Sequence, residues 1–422
     1  MNESDSEVMA GLLAAAGYAP TDREDAADVI ILNTCSVRLS AENKAIGKMR
    51  ELGKLKAKRP ELILGFCGCM AQKHQEALFK TLPFLDFVCG TQQIRRIPEL
   101  IEQARKNREY LIDVSVMDEY PVDQSVAVRE GMLKAWVPIM RGCDNYCSYC
   151  VVPYVRGREV SRPLKDIVSE VRRLADGGCK EVTLLGQNVN SYGKGLGDTK
   201  ATFPRLLEHL NDIAGIERIR FVTSHPKDIS AELIAQFGQL PKLCEYLHFP
   251  IQAGSDRILS LMNRKYTAGH YLDIVAKLRD RCPGIALSTD IIVGYPTETE
   301  DDFQKTVEVM RLIAYDSAYI FKYSTREGTA AAGRTDDVPL KVKEERNQAL
   351  LALQEKISAE KNQALVGSQV EILVEGASKR NPARMTGRTR QNKIAVLEDA
   401  AALAGKSIVK EVRRATAVTL YC

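Results

Sequence analysis

The chain has 422 residues, 45% of them hydrophobic and 27% charged, with a formal net charge of +4. That length accommodates two or three domains, and the composition is that of a soluble globular protein, with no apolar run near the roughly 20 residues that cross a bilayer. The acidic start MNESDSEVMA is no secretory signal, so a cytoplasmic location is expected, where eleven cysteines point to metal or redox chemistry rather than disulfides.

Residues 1–110 alternate helical patterns with short apolar runs. The runs are ADVIILNTC (ending at Cys35), ELILGFCGC (ending at Cys69) and LDFVCG, and Ser40 to Lys58 reads as a helix between the first two. Alternation of this kind predicts a doubly wound α/β domain with a parallel sheet. Two strands ending in cysteine suggest a site at the strand C-termini, the alternative being two small buried hydrophobes.

A connector over 111–134 leads into renewed alternation. VTLLGQN, IRFVTS, YLHFPIQ, ALSTDIIVG and AYIFKYS predict strands of a partial (β/α) barrel of about six units, filling a domain over 130–360. Polar residues recur where these strands end: Gln187 and Asn188, Ser224 and His225, Gln252 and Ser255, Asp290. Each alone reads as a turn or cap, but on a barrel the ends form one rim, and their recurrence predicts a shared site. The tail, 361–422, has short glycine-bounded strands and predicts a small β-barrel. Lys379, Arg380, Arg384, Arg388, Arg390 and Lys393 cluster there, which suggests an RNA-binding module or a solvated charged face.

RGCDNYCSYCVVPYVRGREVSRP carries three cysteines, Cys143, Cys147 and Cys150, spaced C-x3-C-x2-C after the first barrel strand. A structural zinc site needs four ligands, and no histidine or fourth cysteine lies near. A four-iron cluster held by three thiolates leaves one iron open to a small molecule, which makes the loop catalytic.

Motif and barrel resemble the radical S-adenosylmethionine (SAM) superfamily. LLGQNVNSYG, TSHP, LHFPIQAGSDRILSLMNRKYT, TDIIVGYPTETEDDF and YSTREGTAAA, with NTCSVR and GCMAQ nearer the N-terminus, are similar to the methylthiotransferases. The tail is similar to their TRAM domain, a small RNA-binding β-barrel. Asn188, where the ribosomal-protein-modifying branch usually carries aspartate, favours the tRNA-modifying, MiaB-like branch.

The resemblance implies two [4Fe-4S] clusters and SAM, cleaved at the Cys143, Cys147 and Cys150 cluster to a 5′-deoxyadenosyl radical. That radical takes the hydrogen from carbon 2 of an N6-isopentenyladenosine beside the anticodon of tRNA, and methylthio replaces it. Cys35 and Cys69 match two of the three ligands of the second, auxiliary cluster. The third, in a GCQMN motif, would precede Met1 together with a first strand, and Cys67 is the one substitute at hand. Tyr149 matches the aromatic near the adenine of SAM. Gln187 and Asn188 match the methionine-amine site, and Ser224, Gln252 and Asp290 are candidates for its carboxylate and ribose. Arg156 and Arg162 are candidates for that carboxylate or the RNA backbone, and Arg380, Arg388, Arg390 and Lys393 for RNA phosphates. A flavodoxin-like or ferredoxin-like electron donor, no membrane, and a monomeric state are expected. Two other activities fit these motifs. One is methylthiolation of a ribosomal protein or of threonylcarbamoyl-adenosine. The other is a SAM- and tRNA-binding form that inserts no sulfur.

Overall fold

The structure is a computed structural model that describes residues 1–36, 39–107, 109–117, 120, 131, 133–198, 200–379, 381–398 and 403–422. In its N-terminal part four parallel strands pair in sequential order: β1 (Val29–Thr34), β2 (Ile63–Gly68), β3 (Phe87–Cys89) and β4 (Leu111–Asp113). The period of two along β2 divides its side chains between two cores. Leu64 and Phe66 pack with Met49 and Leu52 of the helix Leu39–Lys58, and Ile63 and Cys67 pack with Met9 of the helix Asn2–Ala15 and Ile101 of the helix Ile97–Asn107. Helices therefore cover both faces, as expected.

The central part begins with β5 (Lys134–Pro138) and a short antiparallel ribbon, β6 (Met140–Arg141) with β7 (Val160–Ser161). Then come β8 (Glu181–Leu185), β9 (Arg218–Phe221), β10 (Tyr246–His248), β11 (Ala286–Val293) and β12 (Ser317–Lys322). Parallel pairing gives β5-β8-β9 and β10-β11-β12, and a parallel bridge from Ile219 to Leu243 joins the two sheets. The result is an open six-stranded barrel, filled by residues such as Val137, Leu184, Phe221, Leu247 and Leu287, with amphipathic helices outside.

The helix Leu340–Gln363 starts at the C-terminal rim of the barrel, where Lys343 packs on Gly294, and ends at the opposite face. There Lys361 pairs with Asp316, just before β12. The chain continues into β13 (Gln369–Ala377), β14 (Met385–Thr389), β15 (Ile394–Leu397), β16 (Ser407–Glu411), β17 (Arg414–Ala415) and β18 (Thr419–Tyr421). Their order is β16-β13-β14-β15-β18-β17. The two edge strands, β16 and β17, are separated by only Val412 and Arg413, so the sheet curls on itself into the expected small barrel. It docks on the strand N-termini of the central barrel through buried Arg218 and Arg220, which donate to the carbonyls of Arg388 and Arg390.

Candidate functional site

The cysteine loop follows β6. Gly142 turns it with φ +73°, and a Cβ there would lie 1.9 Å from the Arg158 carbonyl oxygen. The loop is then tied to the barrel rim. The Ser148 N–H donates to the Met262 carbonyl at 3.0 Å, and Ser148 Oγ bonds the Leu261 carbonyl at 2.9 Å and the Tyr295 hydroxyl at 2.8 Å. Arg264, 4% exposed, donates to Cys147 Sγ at 3.4 Å, to the Pro250 carbonyl and to the Tyr266 hydroxyl. Burial pushes the Cys143 thiol up to about 11 and the Cys150 thiol up to about 12, with repulsion from Cys147 adding to both. Among the described residues no three His, Cys, Asp or Glu side chains converge on a single ion position. A cuboidal cluster asks instead for thiols around a volume, and it provides the positive charge that three crowded thiolates lack. The donor set fits such a cluster.

Around the rim, buried polar atoms have no protein partner: Glu159 Oε1, Gln187 Oε1, Asn188 Oδ1, Ser224 Oγ and His225 Nε2. Burial lowers the His225 imidazole far below its ordinary range, and its Nδ1 accepts from the Lys227 N–H, so Nε2 carries the proton and is a donor without an acceptor. Buried orphans are rare in folded proteins, and this set fits a zwitterionic ligand such as SAM. Tyr149, Gln252 and Asp290 line a cavity of ≈ 950 Å³ together with Cys150. The expected cofactor residues thus fall into two neighbouring groups on one rim: Gln187, Asn188 and Ser224 after β8 and β9, and Gln252 and Asp290 on the β10–β11 side.

Cys35 and Cys69 come together because Thr34 pairs with Gly68 in the parallel register, which puts the next residues side by side. Repulsion between the two contributes to a raised Cys69 thiol, behind burial and against the nearby Arg156 cation. Cys69 packs on Val151 and Val155, directly after the cysteine loop, and Leu39 and Ser40 share the cavity with Cys150. The two cysteine sets therefore face one another across a domain boundary. The pair fits as two ligands of a cluster. Cys67 does not join them: it is fully buried against Cys89, and although two residues of a continuous strand would share a face, β2 ends at Gly68, whose φ of +91° turns the chain so that Cys69 opens the helix Cys69–His74 instead.

Several basic candidates have other work. Arg156 is buried, paired to Asp5 at 2.9 Å and bonded to Asn2, so it fastens the N-terminal helix beside Cys69. Arg162, 1% exposed, pairs with Glu170 at 2.7 Å and holds the Pro138 carbonyl. Arg390 makes a two-pronged ion pair with Glu245, Lys393 pairs with Asp316 at 2.8 Å, and Arg388 bonds the Asn392 carbonyl. Arg390 and Lys393 thus clamp the C-terminal barrel to the central one instead of meeting solvent. Arg380 lies outside the described residues. Lys379 of the expected cluster is exposed, and four further exposed cations of this barrel are Lys406, Lys410, Arg413 and Arg414, none in an ion pair among the described residues, with Arg414 over the Tyr421 ring at 3.8 Å. Sequence reasoning passed over these four, and also Arg264 and His248. His248 bridges Asp290 at 3.4 Å and Ser288 at 2.8 Å beside the cavity. A cation amid ILSLMNRKYT was the one visible hint of Arg264.

Two family models match the chain. The Radical SAM superfamily covers residues 137–310, and Uncharacterized protein family UPF0004 covers residues 1–90. The chain is 50% identical over 410 residues to a tRNA-2-methylthio-N(6)-dimethylallyladenosine synthase of Acetivibrio thermocellus, spanning 97% of this chain and 85% of that one. A protein of the same name from Desulforamulus reducens is 46% identical over 97% of this chain and 90% of its own length. Among solved structures, the radical SAM methyltransferase TsrM from Kitasatospora setae matches with a TM-score of 0.54 at 16% identity, over 74% of this chain and 64% of that one, a likeness of fold.

Proposed function

The chain belongs to the tRNA-2-methylthio-N(6)-dimethylallyladenosine synthases of the radical SAM superfamily, and on that premise we propose how its own residues divide the work. It is a tRNA-modifying enzyme that inserts a methylthio group at carbon 2 of N6-dimethylallyladenosine, using SAM and iron–sulfur clusters. The apposition of Cys69 to Val151 and Val155, which brings the N-terminal cysteine pair against the segment that follows the cysteine loop, carries the assignment of roles.

An aromatic C–H offers acid–base catalysis no purchase, and the cluster with SAM, when bound, supplies a radical able to remove that hydrogen atom. Cys143, Cys147 and Cys150 hold the cluster, and Arg264 fixes the Cys147 sulfur and neutralises charge on it. Gln187, Asn188, Ser224 and His225 orient the polar end of SAM through the hydrogen bonds they lack within the protein. Tyr149 flanks its adenine, and Gln252 and Asp290 take its ribose. Cys35 and Cys69 would hold the second cluster beside the cysteine loop, with Arg156 balancing the thiolate charge. Burial of the whole constellation between two domains excludes water from a reactive radical.

The target base is splayed from the anticodon loop into this cavity. Lys406, Lys410, Arg413 and Arg414 hold RNA phosphates at a distance from it. The helix Leu340–Gln363 separates rim from docking face, and the 19 residue steps from Lys343 to Asn362 rise about 28 Å. The division of labour is among 1–110, 130–360 and 361–422, except that β4 (Leu111–Asp113), expected as connector, pairs with β3 and extends the first sheet. A small one-electron protein of the flavodoxin or ferredoxin kind reduces the cluster, and the enzyme works as a monomer in the cytoplasm, where tRNA resides. Among the described residues no helix is long and apolar enough to cross a membrane.

The test is nucleoside mass spectrometry of tRNA from a host lacking its own methylthiotransferase, with and without this chain. Appearance of the methylthio form of N6-dimethylallyladenosine supports the reading, and its persistent lack beside abundant N6-dimethylallyladenosine refutes it.

A further inference from the structure

Singly exposed apolar side chains are ordinary, but three large ones gather here at a single opening. Leu39 is 50% exposed, Tyr319 53% and Leu340 63%, and all three line the ≈ 950 Å³ cavity beside the cysteine loop. They come from three elements: the first turn of the helix Leu39–Lys58, the strand β12, and the first turn of the helix Leu340–Gln363. Behind them the apolar wall continues through Ile292, Phe321 and Val338. Of the polar groups that line the cavity, Gln252, His248 and Asp290 lie together on the β10–β11 side, Lys322, Arg326, Asp336 and Lys343 line it elsewhere, and the His248 ring meets the Tyr319 ring edge-on with centroids 6.0 Å apart. One cavity thus has a polar cluster on its β10–β11 side and, at its opening, a lip of three exposed apolar side chains.

The polar cluster is the side assigned above to the ribose of SAM, which leaves the apolar lip without an occupant. A dimethylallyl group presents five carbons and no polar atom, and it gains from contact only with apolar surface. We infer that Leu39, Tyr319 and Leu340 form the lip that receives the N6-dimethylallyl group, so that prenylated adenosine is selected over plain adenosine by residues of two domains meeting over the cavity. The inference rests on the RNA substrate proposed above. It also makes selection depend on closure of the N-terminal domain on the barrel, since Leu39 belongs to the former and Tyr319 and Leu340 to the latter.

Equilibrium binding of the full chain to two RNA hairpins, differing only by the dimethylallyl group on one loop adenosine, reads this preference without turnover. Fluorescence anisotropy serves as the readout. Wild type is expected to prefer the prenylated hairpin. Leu39→Asn and Leu340→Asn should each cut the preference roughly five- to tenfold, the effect of removing a methylene or two of apolar surface, and Leu340→Met should retain it. Both positions are half exposed or more, so neither substitution threatens the fold, and thermal melting checks this. An unchanged preference in both asparagine variants overturns the inference, as does a wild type that binds the two hairpins equally. A wild type that binds neither overturns the RNA reading itself, a result distinct from equal binding.

Discussion

Replacing Gly142 with alanine is expected to destabilise the cysteine loop by about 3–5 kcal/mol and to strip the chain of iron. The residue sits at φ +73°, where an L side chain alone costs about 1 kcal/mol. The larger part is steric. The new Cβ would lie 1.9 Å from the Arg158 carbonyl oxygen and 2.5 Å from that of Gly157, both backbone atoms that no rotamer change can move. The β6–β7 ribbon, paired through Met140 with Ser161 and Arg141 with Val160, must then open. The hydrogen bond from the Cys143 N–H to the Gly157 carbonyl, 3.2 Å long, goes with it. One broken hydrogen bond at about 1 kcal/mol and residual backbone strain of about 1–3 kcal/mol complete the sum. Gly178→Ala is the control, because Gly178 has φ +93° but nothing within 4 Å of its Cβ position. At roughly 3 °C per kcal/mol for a unit of this size, the control should lower the melting temperature by about 3 °C and Gly142→Ala by about 9–15 °C. Iron per chain after anaerobic reconstitution should fall only in Gly142→Ala. Equal melting temperatures and equal iron in the two variants would refute the reasoning.

Three further outcomes are expected. Burial alone would raise the Asp302 carboxyl, but hydrogen bonds from Arg257, Ser255 and Thr299 outweigh it and hold it well below the usual carboxylate range. Its stabilising effect is therefore full above the unfolded value near pH 4 and lost as pH falls toward the folded value, so Asp302→Asn should be less stable at pH 7 yet show a shallower decline in stability between about pH 4 and 2, followed by denaturant titration at each pH. Arg390→Met strands Glu245 in a partly buried junction, which should cost about 1.5–3 kcal/mol and free the C-terminal barrel to limited proteolysis; an unchanged digestion pattern would count against the clamp. Neutralising Lys406, Lys410, Arg413 and Arg414 together should weaken tRNA binding and flatten its dependence on salt, by about 0.7–0.9 in logarithmic slope for each phosphate left without its cation, whereas an unaltered slope would exclude this surface.

Much of the site is local in the chain and was legible there. The C-x3-C-x2-C spacing confines three thiols to one short loop whatever surrounds it. Residues at the C-termini of parallel strands must share a rim, so Gln187, Asn188, Ser224 and Gln252 were recognisable as a set from their positions in the chain, whereas Asp290, expected at a strand end, lies inside β11. The equivalent strand-end positions of Cys35 and Cys69 were likewise legible, but the period of two in GFCGC puts Cys67 on the face of Cys69, and only the turn at Gly68 into the helix Cys69–His74 separates them. The tertiary structure decided which charges are spent and which are free. Arg390 and Lys393 resemble Lys410 and Arg413 in every local respect, yet the first two meet Glu245 and Asp316, carboxylates 145 and 77 residues away, and the others meet solvent. The same holds for Arg156 on Asp5, for Arg264 on Cys147, and for Leu39, Tyr319 and Leu340, which become one surface only when two domains close over a cavity. Periodicity and spacing act within an element and survive any packing of it, whereas the pairing of a cation or the exposure of a leucine depends on partners that the chain brings near only by folding.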